Sequence, residues 1–279
     1  MRLFVLGTLW LLPVIAATPN LEQANKLYSY TDYEGSLKVL LPQKDKDAAT
    51  LHLIGKNYYM MGDFKKATEY MERAALAEPG NSAYFHWLGR AYGRRAETST
   101  PFTAPVYASR ARQNFEKAVQ LNPGNAEALN DLFEYYLEAP GFLGGGLDKA
   151  SKAAEQITRL DPIEGHYAQA KLAEKRKEYG TAEEQLRRAV ELAPNKVGRV
   201  IDLAKFLAKQ GRFQESDQTF ARAEQIAPNS PKVLFNRAET YIQTGRNLST
   251  ARELLKRYLT AQLTPDDPPR SEALKLLKQ

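Results

Sequence analysis

The sequence predicts an all-α fold, a solenoid of antiparallel helix pairs, and three observations lead there. Matched sets of small and large apolar residues return in register, with Pro194 and Pro228 one 34-residue period apart. Within each copy the apolar residues fall at i, i+3 and i+4, the spacing of one helix face. A proline near the end of each copy, in Glu-Pro-Gly-Asn, Asn-Pro-Gly-Asn or Ala-Pro-Asn, interrupts the helical hydrogen-bond ladder. One copy alone would leave an apolar face bare, so stability requires stacking.

Taken in chain order, residues 1–17 read as a secretory signal peptide: a basic start at Arg2, an apolar run over 3–16, then small residues. That run is shorter than the roughly 20 residues a membrane-spanning helix needs. The chain is therefore expected to be exported, periplasmic or secreted, or membrane-anchored if the segment is retained. Loss of Arg2 would lower the formal net charge from +6 to +5. Residues 18–47 suggest a degenerate first repeat, marked by Ala24, Asp32, Tyr33 and Leu40. Residues 48–265 hold the regular copies, about six in number. In these, Gly55, Gly89, Ala170, Ala204 and Ala238 let a first helix approach its partner closely. Ala67, Ala111, Ala150, Ala182 and Ala251 supply the matching small face on the second helix. Tyr58, Phe64, Tyr92, Phe115, Phe213 and Phe220 fill the space between. Gly62 and Gly211 end first helices, and Pro79, Pro123, Pro162, Pro194 and Pro228 end second ones. Residues 266–279 read as a C-terminal capping helix with Leu274 and Leu277 on its buried face.

In this register the copies resemble the tetratricopeptide repeat, and the resemblance covers nearly everything after the signal segment. It implies a right-handed superhelix with a concave groove lined by the first helix of each pair. It also implies a protein or peptide partner rather than a reaction. Carried over copy by copy, the inward slots include Lys56, Tyr59, His86, Arg90, Arg94, Tyr167, Lys171, Lys175, Lys205, Lys209 and Phe235. Glu127, Asn130, Glu134 and Glu138 form an acidic stretch in the middle. Such a surface suits a peptide held by charge-assisted hydrogen bonds and aromatic contacts. The Lys, Asn and Arg set with which some family members grip a C-terminal carboxylate does not fit here, because His86 and Ile201 break its spacing.

Two copies depart from the period. Gly89 to Ala111 spans 22 residues where Gly55 to Ala67 spans 12, which places an insert near 95–105. A shorter insert falls near 139–146, in Ala-Pro-Gly-Phe-Leu-Gly-Gly-Gly. Both occupy the same kind of turn in adjacent copies, so both should project from one edge. Phe102, Phe142 and Leu143 are apolar residues there, placed either to fold back over a helix end or to touch a partner.

Other chemistries find little support. Cysteine is absent, which removes disulfides and thiolate sites. The 39 Lys and Arg are interleaved with 33 Asp and Glu, without the dense stripe of a nucleic-acid binder. The triple glycine lacks the Gly-Lys-Ser/Thr of a phosphate loop. His52, His86 and His166 are the three histidines, and no carboxylate shares the matching slots of the first two. No cofactor motif or catalytic set appears, so the chain reads as a non-enzyme. Two further readings remain: a structural subunit of a cell-envelope complex, and a small-ligand or carbohydrate binder stacking on Tyr59, Tyr167 and Phe235.

Overall fold

The structure, a computed structural model, describes residues 19–278. The expected signal peptide at 1–17 lies outside them. Among the described residues the chain is helical throughout, without strands, and its helices pack in consecutive pairs. It is an α-solenoid.

The first pair is α1 (Pro19–Ser29) and α2 (Tyr33–Leu40). There follow α3 (Ala48–Met60) with α4 (Phe64–Ala77), α5 (Ser82–Glu97) with α6 (Ala104–Leu121), and α7 (Ala126–Glu138) with α8 (Leu147–Leu160). Next come α9 (Pro162–Lys175) with α10 (Tyr179–Leu192), α11 (Val197–Lys209) with α12 (Phe213–Ile226), and α13 (Pro231–Gln243) with α14 (Leu248–Thr260). The last helix is α15 (Arg270–Leu277).

Local chemistry explains the boundaries. Asp47, Asp63, Asn81 and Asn125 each accept a backbone N–H from the first turn of the helix they precede, at 2.8–3.1 Å, which satisfies donors that would otherwise be orphaned. Pro162 behaves differently from the other repeat prolines. It opens α9 instead of trailing α8, and Asp161 alone separates the two helices while capping α9. Proline suits the first helical position because its missing N–H has no partner there in any case.

The small positions act as expected. A Cβ on Gly89 would come within 2.6 Å of the Phe115 ring, so only glycine lets α5 lie this close to α6. Buried polar groups tie successive pairs together. Asn57 on α3 donates to Ser36 Oγ on α2 at 2.9 Å, and Asn125 donates to Ser82 Oγ, which in turn donates to the Ala118 carbonyl. The core is a chain of adjoining clusters, from Leu21, Leu40 and Ile54 at one end to Leu254, Leu255 and Tyr258 at the other.

Two expectations need correction. In α15 it is Ala273 that is fully buried; Leu277 is half-buried, but Leu274 faces solvent. The insert near 95–105 is mostly not a loop. It lengthens α5 to 16 residues and α6 to 18, against 13 or 14 in the other repeat helices, and leaves 98–103 as the connection. Four extra residues raise the end of α6 by about 6 Å.

Candidate partner-binding groove

The first helices α3, α5, α7, α9, α11 and α13 carry one slot just after the close-packed position, which is small in all but α7, where it is Phe133. Lys56, Arg90, Glu134, Lys171, Lys205 and Glu239 occupy it, all half-buried. Towards the C-terminal half this row neutralises itself. Lys205 meets Glu239 at 2.9 Å, Lys175 meets Glu138 at 2.7 Å, and Lys209 meets Glu174 at 3.5 Å. Burial pushes the Glu134 carboxyl upward against the opposing field of Lys171. Asp202 is raised for the same reason, although Arg199 lies 3.0 Å from it.

The N-terminal end is different. Lys56 sits between two rings, its Nζ 4.7 Å from the centre of Tyr28 and 4.4 Å from that of Trp87. Arg90 lies 4.5 Å over Trp87 and 5.6 Å from Tyr59, with Asp131 at 3.6 Å. Arg94 covers Phe64 at 5.3 Å. These cations and rings line a cavity of about 860 Å³ whose opposite wall is residues 265–275. Cation–π contact holds the Lys56 and Arg90 head groups beside the rings, and Arg94, which also donates to Glu97 Oε2 at 2.8 Å, keeps further guanidinium N–H groups for an anionic group. Burial and the neighbouring Arg90 charge lower the Lys56 pKa, so an added carboxylate here would relieve repulsion.

The structure divides the sequence-predicted residues. Lys56, Tyr59, Arg90 and Arg94 converge on this cavity. His86 does not: it is 2% exposed and bonds Asp131 Oδ2 through Nε2 at 2.8 Å, joining α5 to α7. Phe235 is buried against Tyr258, with ring centres 5.2 Å apart. Tyr167 is covered by the Arg199 guanidinium at 3.9 Å. Neither ring is a free stacking platform: Tyr167 is covered from α11 of the next pair, and Phe235 is buried against α14 of its own pair. His52 is likewise turned inward and stacks on Tyr84 at 4.6 Å. Among the described residues no three His, Asp or Glu side chains are grouped to hold a metal ion.

Sequence reasoning missed Trp87 and Tyr28. The signal for Trp87 was present, since 87, 90 and 94 form an i, i+3, i+7 series on one face of α5. Tyr28 gave no such signal, because its place depends on how α1 packs against α3.

On the outer edge, Phe102 and Phe142 are 93% and 82% exposed, so neither folds back over a helix end. Leu143 is half-buried. The loop at 139–146 is compact. Gly146 N–H donates to the Tyr136 carbonyl at 2.8 Å, and Tyr135 Oη donates to the Leu143 carbonyl at 2.9 Å. A Cβ on Gly145 would stand 1.8 Å from the Ala139 carbonyl oxygen, so this turn requires glycine. The Arg112 side chain of α6 packs against Gly144, so the glycine loop leans on the second helix of the preceding pair.

Two family models, both described as tetratricopeptide repeat, match the chain, one over residues 48–81 and one over 144–197. The first covers the α3–α4 pair and the second runs from the glycine loop through α10. The chain carries tetratricopeptide repeats over these residues. Its fold is similar to that of a tetratricopeptide-repeat protein from Parabacteroides merdae, with 14% identity over 93% of this chain and 98% of that one, at a TM-score of 0.61. A thermophilic repeat protein of Thermus thermophilus shares 21% identity over 67% of this chain and 97% of its own, at 0.55. The C-terminal part of a repeat protein from Cytophaga hutchinsonii shares 18% identity over 93% and 100%, at 0.50. No curated protein sequence matches the chain significantly. The repeats suggest a protein–protein interaction scaffold, and proteins of this family are generally non-enzymatic. Among the described residues no helix is long and apolar enough to cross a membrane.

Proposed function

We propose that this repeat protein is an exported scaffold that holds a peptide or protein partner in the N-terminal part of its concave groove. The observation that carries the reading is the convergence of Lys56, Arg90 and Arg94 with Tyr28, Tyr59 and Trp87 on one cavity. Towards the C-terminal half, Lys175, Lys205 and Lys209 each meet a carboxylate of the chain itself. Export rests on the signal-like segment at 1–17, and association with a membrane complex is compatible with it. No nucleic-acid or cofactor role is part of the proposal.

The double variant Arg90→Glu and Arg94→Glu tests the groove. Protein captured from the cell envelope by the wild-type chain should be lost with the variant, while circular dichroism stays unchanged. Unaltered capture by a folded variant sinks the groove reading. A second reading has its own observation: the two bare phenylalanines on adjacent enlarged turns make a separate contact edge.

A further inference from the structure

The cavity wall facing Lys56, Arg90 and Arg94 is made by the chain's own C-terminal turn. That turn, residues 264–269, reads Thr-Pro-Asp-Asp-Pro-Pro. It is shaped from within: Asp267 accepts from both the backbone and the hydroxyl of Thr264 at 2.9 Å, and Tyr258 Oη donates to the Pro268 carbonyl. Arg270 donates to the Ala261 carbonyl at 2.9 Å. Asp267 is therefore occupied, whereas Asp266 is exposed. Asp266 lies near enough to Lys56 and Tyr28 to influence the proton affinity of both. Glu272, in the first turn of α15, stands 3.8 Å from Arg94.

This closure is polar. The apolar cluster around α1–α3 and the one that receives α15 share no residue. The C-terminal cap packs its apolar residues on α13 and α14, and Glu272 is its ion pair to α5, at Arg94. An attraction of that kind is screened and displaceable, unlike a packed apolar contact.

We propose that the turn at 264–269, together with Glu272, is a built-in guard of the groove, presenting Asp266 and Glu272 where an acidic, proline-containing segment of the partner binds. The proposal rests on the groove reading above and specifies its partner's chemistry. The guard is a turn closed by the Asp267 N–H donating to the Thr264 carbonyl at 3.1 Å, and its three prolines restrict the backbone, with Pro269 itself at φ −65° and ψ 146°. A competing segment with the same features pays little conformational entropy on binding.

The test titrates a fluorescein-labelled synthetic copy of residues 262–272 into the full-length protein by fluorescence polarisation. Asp266→Asn with Glu272→Gln should bind the copy at least about tenfold more tightly than wild type, the gain expected when the guard occupies the groove roughly nine-tenths of the time. Adding Arg90→Gln and Arg94→Gln should remove the gain, and a copy with its acids replaced by amides should bind none of the proteins. Neither guard substitution touches Ala273, Leu276 or Leu277, which anchor α15. Equal affinity of the acidic copy for wild type and for the guard variant, including binding to neither, overturns the proposal. The groove reading itself stands or falls separately on partner capture by the Arg90 and Arg94 variant.

Discussion

His52 shows how far a side chain's meaning depends on its neighbours. As one of three histidines in a groove-type slot it reads as a candidate contact, yet it lies against Tyr84 and is shut away from the groove. Burial first, then the charges of Lys56 and His86, push its pKa from 6.5 down to about 3. Between those values the unfolded chain takes up a proton that the folded imidazole refuses. Stability is therefore unaffected above pH 6.5 and falls as the pH drops from there towards 3, by up to about 1.4 kcal/mol per pH unit. Urea unfolding at about pH 7 and about pH 5 checks the sign. Wild type should lose more stability between the two than His52→Gln, and equal losses would show that this histidine is not the titrating group. His86 and Trp87 make the complementary point. Adjacent in sequence, they point to a repeat junction and to the groove respectively, because successive residues on a helix are about 100° apart.

At the level of elements, the enlarged turns are the parts that differ from a regular stack. Of ten extra residues between the small positions of one repeat, about seven became additional helix and the rest lengthened the connection. Sequences such as Tyr-Ala-Ser-Arg-Ala-Arg-Gln continue a helix as readily as they leave one. The glycine-rich turn remained a loop, since Gly145 tolerates no side chain and Gly144 adopts φ 87°. Phe102 and Phe142 contribute almost nothing to the core, so replacing both with Ser should change stability by no more than about 0.5 kcal/mol. If this edge touches a partner, the same variant should lose capture while keeping its melting temperature. A large drop in melting temperature would instead assign the two rings to folding.

For the whole molecule, the decisive feature is that seven helix pairs bring the C-terminal cap back across the inner face of the first repeats. Because that closure is charge-held, the radius of gyration by small-angle scattering should rise between about 0.05 M and about 0.5 M salt, over which the Debye length falls severalfold. The Asp266→Asn and Glu272→Gln variant should show the larger radius already at low salt. A radius independent of both salt and substitution would mean that repeat packing alone sets the curvature.

The sequence by itself determined the repeat, its helical pairing and the groove cations Lys56, Arg90 and Arg94, because these follow from periodicity and small-residue spacing, which are local properties. It also placed the two inserts in adjacent repeats, which chain order alone fixes. Only the tertiary structure decided which of the groove slots are open. His86 and Ile201 are closed by the repeat that follows them, Phe235 by the second helix of its own pair, and Lys175, Lys205 and Lys209 are paired across helices. Above all it placed residues 264–272 opposite Lys56 and Arg94, a contact across nearly the whole chain. That contact arises from the small rotation between successive repeats summed over seven pairs, a quantity that no local pattern encodes.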